Sequence, residues 1–320
     1  MAYIDVFNGD ADGICALTQL RNAHRVESTL VTGVKRDIEL VDKVEVAPGD
    51  QLTVLDISMD KNRRGVEKAL AAGAQVFYVD HHYAGEIPQS PNLQAIINEA
   101  PDVCTSILVN GHLKGQFCAW AVVGAFGDNL KASAQSLAKQ LTVTAEELEQ
   151  LENLWIYINY NGYGENLADL IFAPADLFRL VSPYGNPLDF IRDSREKFQR
   201  LESGYRDDMA SAAALKPVSE SASAAVFILP NQPWARRVSG VYSNDLVNLH
   251  PARAHAVLTE KSNGNYLVSV RAPLRNKTGA DELCRRFPTG GGRAAAAGIN
   301  DLPGGMLEDF VGQFSQFYAA

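Results

Sequence analysis

The sequence predicts an α/β protein, with a parallel-sheet domain over residues 1–185, a helical linker over 186–216 and a smaller α/β domain over 217–320. Two observations predict the first domain. Apolar, β-branched or aromatic runs recur with helical patterns between them, as in βαβ units, and three of these runs end abruptly in a carboxylate. The third observation is length: 320 residues is long for one compact unit and suits two cores.

The three runs are Tyr3 to Phe7, entering Asn8-Gly9-Asp10-Ala11-Asp12-Gly13; Leu52 to Leu55, entering Asp56-Ile57-Ser58; and Val76 to Val79, entering Asp80-His81-His82. A largely apolar run reads as a buried strand, so the polar cluster that follows it falls at the C-terminal end. In an open α/β sheet that end faces the ligand crevice. If the three strands are parallel neighbours, Asp10, Asp12, Asp56, Asp80, His81 and His82 converge on one rim as a metal site. Turn and cap residues are the plain alternative.

Between these runs, Gly13 to Leu20 and Asn62 to Ala72 have helical spacing, and Gly73 suits the residue after a helix end. Ser28 to Thr32 reads as a strand leading to Lys35 and Arg36, which are either solvated loop charges or contacts to a substrate phosphate. Gln94 to Ile97 reads as a strand and Val103 to Leu113 as a helix. The apolar stretch Ala119 to Phe126 stops at Gly127-Asp128-Asn129, where Asp128 is either a cap or a further ligand. Thr144 followed by Glu147 has the spacing of a capping box, and Asn159 to Gly164 reads as a flexible loop near the crevice.

Leu188 to Leu215 is mostly helical and heavily charged. Beyond it, Ala225 to Leu229, Ala254 to Glu260 and Tyr266 to Arg271 read as strands, with helices over Gly240 to Leu249 and Gly279 to Phe287. Gly290-Gly291-Gly292-Arg293 then leads into Ala294 to Ala297, which is helix-prone. Exposed N–H groups and a helix N-terminus there would attract an anion, and Arg271 and Arg293 would grip phosphate.

The bulk numbers narrow the partners. A hydrophobic fraction of 46% and a charged fraction of 21% are ordinary for a soluble protein. A net charge of −9 disfavours long nucleic acid, whose binding needs clustered Lys and Arg. No apolar run approaches the roughly 20 residues of a membrane span, and no secretory signal is expected. Cys15, Cys104, Cys118 and Cys284 form no C-x-x-C pair, as expected of reduced thiols in a cytoplasmic protein.

Taken together, Asp10-Ala11-Asp12-Gly13, Asp56-Ile57-Ser58, Asp80-His81-His82, Gly127-Asp128 and Gly290-Gly291-Gly292-Arg293 with Ala297-Gly298 resemble the DHH phosphoesterase superfamily, in its branch with a C-terminal DHHA1-type domain. The resemblance covers nearly the whole chain and lies in the order and spacing of motifs that are individually common. It implies a two-metal site, usually manganese, that hydrolyses phosphodiester or phosphoanhydride bonds. Carried onto this chain, Asp10 would hold one metal and Asp12 the other, with Asp56 bridging. His81 and Asp128 would complete the ligand set of the second metal, His82 would face the substrate phosphate, and Asp80 would orient its neighbours.

Two positions depart from the pattern. Relatives place a His ligand of the first metal four residues before the first aspartate, where this chain has Val6; the Asn8 amide oxygen or a water would have to substitute. The first metal would then bind weakly, arrive with substrate, or be absent. Arg293 stands where relatives commonly have His.

The expected function is a Mn²⁺-dependent phosphoesterase, with Mg²⁺ as a substitute, acting on small nucleotides or short oligonucleotides. Asp56, His82 and Asp80 would serve the chemistry, and His82, Arg271, Gly290, Gly291, Gly292 and Arg293 would bind substrate. No membrane or long nucleic-acid partner is expected, and a homodimer is compatible with the sequence. The competing readings are a nucleotide-binding regulator that has lost catalysis and a pyrophosphatase or exopolyphosphatase.

Overall fold

A computed structural model describes residues 1–319. The chain divides into two compact units, Met1–Glu202 and from Ser203 onward. The predicted linker region folds as two helices, and the division falls within the second of them.

The first unit is built on five parallel strands: β1 (Tyr3–Phe7), β2 (Thr29–Val31), β3 (Gln51–Leu55), β4 (Gln75–Asp80) and β5 (Leu93–Ile97). Their order is β2-β1-β3-β4-β5, so the winding direction reverses between β1 and β3. Such a reversal opens a crevice beyond the C-terminal strand ends, because the following connections leave on opposite faces of the sheet. The helices are α1 (Ala11–Ala23), α2 (Met59–Ala71), α3 (Thr105–His112), α4 (Cys118–Gly127), α5 (Lys131–Ala138), α6 (Ala145–Gly162), α7 (Pro174–Val181), α8 (Pro187–Asp193) and α9 (Arg195–Ala213).

Period-two alternation sorts β1 between the two faces. Ile4 and Val6 pack with Val54, Tyr78 and the α2 residues Met59, Val66 and Ala69. On alternate positions, Asp5 is bonded to Arg21 of α1, and the Phe7 ring lies 5.7 Å from that of Phe178 on α7. The apolar helix α4 is almost wholly buried, as a hydrophobic-all-round helix must be.

One predicted loop is helical. The α6 helix runs on through Asn159, Tyr160 and Asn161 to Gly162, all buried. Its asparagines are satisfied by distant backbone: Asn161 Nδ2 donates to the Phe172 carbonyl and its Oδ1 accepts from the Phe172 N–H, each at 2.9 Å. Polarity alone had suggested a loop, but fully bonded amides tolerate burial.

The second unit has a six-stranded mixed sheet of β6 (Ser219–Glu220), β7 (Ala224–Leu229), β8 (Ala254–Glu260), β9 (Tyr266–Arg271), β10 (Gly290–Arg293) and β11 (Ala296–Leu302), ordered β10-β11-β9-β8-β7-β6. Its helices are α10 (Pro233–Leu249), α11 (Ala280–Cys284) and α12 (Leu307–Phe317). Leu283, Phe310 and Phe314 fill the core beneath Val268, Val270 and Ile299.

The helix expected after the glycine triplet does not form. Gly290–Arg293 is instead a strand paired antiparallel with Ala296–Ile299, and Ala296 pairs onward with Arg271. Sheet hydrogen bonding to β9 outweighs the weak helix preference of four alanines. The glycines have a packing reason: a Cβ on Gly290 would lie 1.8 Å from the Cys284 carbonyl oxygen, and Gly292 has φ +137°. The anion site at a helix N-terminus is therefore withdrawn. Arg271 and Arg293 do share one cross-strand row through Ala296.

The four cysteines are free and buried. No helix among the described residues is long and apolar enough to cross a membrane.

Candidate metal centre

The turn after β1 is shaped by close backbone approach. A Cβ on Gly9 would sit 2.1 Å from the Gly33 carbonyl oxygen, and one on Gly13 would sit 2.3 Å from that of Asn8. Within this turn Asp10 caps α1, its Oδ1 accepting from the N–H groups of Asp12 and Gly13 at 3.0 and 3.1 Å. Its Oδ2 is 2.7 Å from the Lys35 ammonium.

Asp12 is fully buried and serves a different helix. Its Oδ2 and Oδ1 accept from the N–H groups of Thr105 and Ser106, each at 2.8 Å, satisfying the first turn of α3, which lacks a side-chain cap of its own. Glycine allows α4 to approach: a Cβ on Gly124 would lie 2.2 Å from Ser106 Oγ and 3.1 Å from Asp12 Oδ1. Asn159 joins the two ends, accepting from the Ala11 N–H at 2.9 Å and donating to the Gly127 carbonyl at 2.7 Å. Asp128 follows directly as the residue ending α4.

Asp56 and the Asp80-His81-His82 run leave adjacent strands together, since Leu55 pairs with Val79. Asp56 holds φ +60°, an uncommon conformation for a side-chain-bearing residue, and so does the site neighbour Asn129 at +61°. The Asp56 N–H donates to the Val79 carbonyl at 3.1 Å, and its Oδ1 accepts from the Thr105 hydroxyl at 3.1 Å. His81 Nε2 lies 3.0 Å from Asp128 Oδ2 and 3.5 Å from Asp56 Oδ1, buried and without an aligned hydrogen bond to either. Ligand atoms of Asp12, His81 and Asp128 lie within 4.8 Å of one another, as do those of Asp56, His81 and His82.

The charges are crowded. Burial pushes Asp56 well above the usual carboxylate range, and the charges of Asp12, Asp10, Asp128 and Asp80 push it further. Burial, with Asp12 and Asp10 beside it, raises Asp128 to about 8. Asp10 behaves oppositely: burial would raise it, but the Lys35 ammonium and the Gly13 N–H bring it down to about 2. For His82, burial works to lower the imidazole, but the bond from Nδ1 to Asp80 Oδ1 at 2.8 Å and the Asp80 charge outweigh it and raise the pKa. Because a carboxylate only accepts, the Nδ1 of His82 carries the proton.

Carboxyls of Asp56 and Asp128 raised by burial and by neighbouring charge, around an imidazole nitrogen without an aligned hydrogen bond, fit a divalent cation that prefers oxygen donors. Asp12, His81 and Asp128 form one such group and Asp56, His81 and His82 another, with His81 common to both. The set for a first metal is not assembled in the same way. Val6 lies in the apolar core, Asp10 is paired with Lys35, and Asn8 donates through Nδ2 to the Lys35 carbonyl at 3.3 Å, leaving its buried Oδ1 without a partner.

Arg271 and Gly290–Arg293 belong to the second unit, where Arg271 Nε donates to Asn244 Oδ1 at 2.7 Å. Lys35, read from sequence as a loop cation or phosphate contact, is the partner of Asp10. Thr105, Ser106 and Asn159 had no local signal, because their bonds to Asp56, Asp12 and Ala11 span 49 to 148 residues.

No family model and no curated protein sequence matches the chain. Among solved structures, the exonuclease RecJ bound to manganese superposes with a TM-score of 0.62 at 15% identity, covering 99% of this chain and 90% of RecJ. The chain has the fold of RecJ. RecJ from Thermus thermophilus in complex with Mn²⁺ shares that fold at a TM-score of 0.65 and 16% identity, over 99% of this chain, which spans 52% of that RecJ. The pGpG-specific phosphodiesterase PggH from Vibrio cholerae shares it at 0.55 and 15% identity, over 100% of this chain and 99% of PggH. These similarities cover residues of both units.

Proposed function

We propose that this chain is a metal-dependent phosphoesterase that hydrolyses a short linear dinucleotide or similarly small nucleotide, with Mn²⁺ as its cation. The observation that carries the reading is the buried His81 Nε2 set between Asp56 and Asp128, with Asp12 beside them. Manganese in the RecJ structures and the dinucleotide substrate in the name of PggH support the choice of ion and substrate size. A net charge of −9 supports a small substrate over a long polyanion.

Asp12, Asp56, His81 and Asp128 hold the cation, which when bound supplies an activated water and polarises a phosphoryl oxygen. The chain's other groups prepare the site for an anion. The α3 N–H groups and the Thr105 hydroxyl fix the carboxylates of Asp12 and Asp56, so they need not reorganise on binding. Asp80, fully buried, fixes the tautomer of His82 and favours its charged form, which donates to the phosphoryl group. Arg271 and Arg293, in one row of the second unit's sheet, are guanidinium groups suited to a phosphate.

A second reading, a nucleotide-binding protein without turnover, is favoured by the Lys35–Asp10 pair. A panel of pGpG, pApA, pAp, a cyclic dinucleotide and inorganic polyphosphate separates them. We expect cleavage of a linear dinucleotide that EDTA abolishes and Mn²⁺ restores. Dinucleotide binding with no product in Mn²⁺ or Mg²⁺ would establish the second reading, and preference for polyphosphate would exclude both.

A further inference from the structure

We infer that the Lys35 ammonium takes the place of one cation in this centre, so that the chain holds a single divalent ion on Asp12, Asp56, His81 and Asp128. The inference rests on the metal-dependent reading above and specifies its stoichiometry.

Three protein donors meet the Asp10 carboxylate. Oδ1 receives two backbone N–H groups, and Oδ2 receives the ammonium at 2.7 Å, with the Asp10 side chain only 5% exposed. A metal on this carboxylate would have to displace a buried, charge-assisted bond, the kind whose loss leaves an uncompensated charge behind.

Lys35 is held in place at both ends. Its N–H donates to the Gly162 carbonyl at 2.8 Å, its carbonyl accepts from Asn8 Nδ2, and its ammonium lies 5.5 Å from the centre of the Tyr163 ring. The segments carrying these groups meet at Gly9. A Cβ there would strike the Gly33 carbonyl, and a Cβ on Gly162 would come within 3.2 Å of the Gly9 carbonyl oxygen. Backbone packed this closely fixes where the lysine enters the site.

The ligand shell tells the same way. Val6 is 0% exposed among Ile4, Val54 and Tyr78, so position 6 contributes packing and no donor atom. Asn8 donates its amide nitrogen to the lysine's own backbone, which leaves its buried Oδ1 as a neutral oxygen beside Asp10. An ammonium brings one positive charge and N–H donors where a divalent ion brings two charges and open coordination positions. Lys35 therefore neutralises Asp10 and orients it but cannot activate water, and that task falls to the single ion.

Equilibrium dialysis of the full chain against excess Mn²⁺, with metal counted by mass spectrometry, tests this alongside low-temperature electron paramagnetic resonance. Wild type is expected to hold one Mn²⁺ per chain, with the hyperfine pattern of an isolated ion. Lys35→Arg should keep that count, and Lys35→Ala should take up a second ion. Two ions in wild type with an exchange-coupled spectrum, or a Lys35→Ala variant that still holds only one, would overturn the inference while leaving the metal-dependent reading standing. No bound ion in wild type would overturn that reading itself. Should Lys35→Ala not fold, the wild-type and Lys35→Arg counts and spectra decide the matter alone.

Discussion

Replacing Asp56 with Asn is expected to reduce Mn²⁺-dependent hydrolysis by at least about 100-fold, the scale of losing one preorganised electrostatic group in an active site. The same substitution should make the metal-free protein more stable. Asp56 is buried, with Asp12, Asp10, Asp128 and Asp80 around it, and its carboxyl is raised well above the ordinary range. An acid whose folded pKa lies above its unfolded value supports the fold below the unfolded pKa and withdraws that support as pH rises through the folded pKa. Asp128 obeys the same sign, from 3.8 to about 8. The metal-free wild type should thus lose stability between about pH 4 and 8, and Asp56→Asn should lose less. Saturating Mn²⁺ should reverse the ranking: binding at 100 times Kd stabilises wild type by about 2.7 kcal/mol and the variant by far less. Thermal unfolding with EDTA and with Mn²⁺ at several pH values checks both halves. A variant that is less stable than wild type in EDTA would contradict the burial and charge crowding on which the site is argued.

The Arg21→Met variant should lose about 3–5 kcal/mol of stability, the cost of removing one partner of a buried ion pair. Asp5 lies in the middle of β1, fully buried, where a lone carboxylate has no access to water. Arg21 meets it with both Nε, at 2.8 Å, and Nη2, while Ser28 Oγ donates to Asp5 at 2.6 Å and Arg21 Nη2 reaches Thr53 Oγ1 at 3.1 Å. Removing Arg21 strands the Asp5 charge in the first-unit core. The Asp5→Leu, Arg21→Met double variant, which removes both charges, should recover most of the loss. Urea unfolding followed by tryptophan fluorescence, to which Trp120, buried in the first unit, contributes, measures both. Equal losses in the single and double variants would show that the pair's charges do not govern stability here.

How much was legible in the sequence depends on the range over which each residue acts. The strand-terminal carboxylates were readable because an apolar run that stops dead locates its own end, and parallel winding then gathers the ends at one rim. The β3 and β4 ends leaving side by side at Asp56 and Asp80 are the direct consequence. Asp5 was not readable, since a charge inside such a run makes sense only with the arginine on the helix that packs across it. Nor was Lys35, whose place against Asp10 is set by close packing at Gly9 and Gly162. The glycine triplet misled because its alanine-rich sequel has helical preference in isolation, whereas β9 offers a ladder to pair with. Asn159 and Thr105 contribute through bonds to residues 148 and 49 positions away, beyond any local pattern.

Crystals grown with Mn²⁺ and measured at the manganese absorption edge test the central claim most directly. The account predicts an anomalous peak bounded by Asp12, Asp56, His81 and Asp128, with the Lys35 side chain still on Asp10. Manganese bound elsewhere on the chain, or none at all, would contradict it.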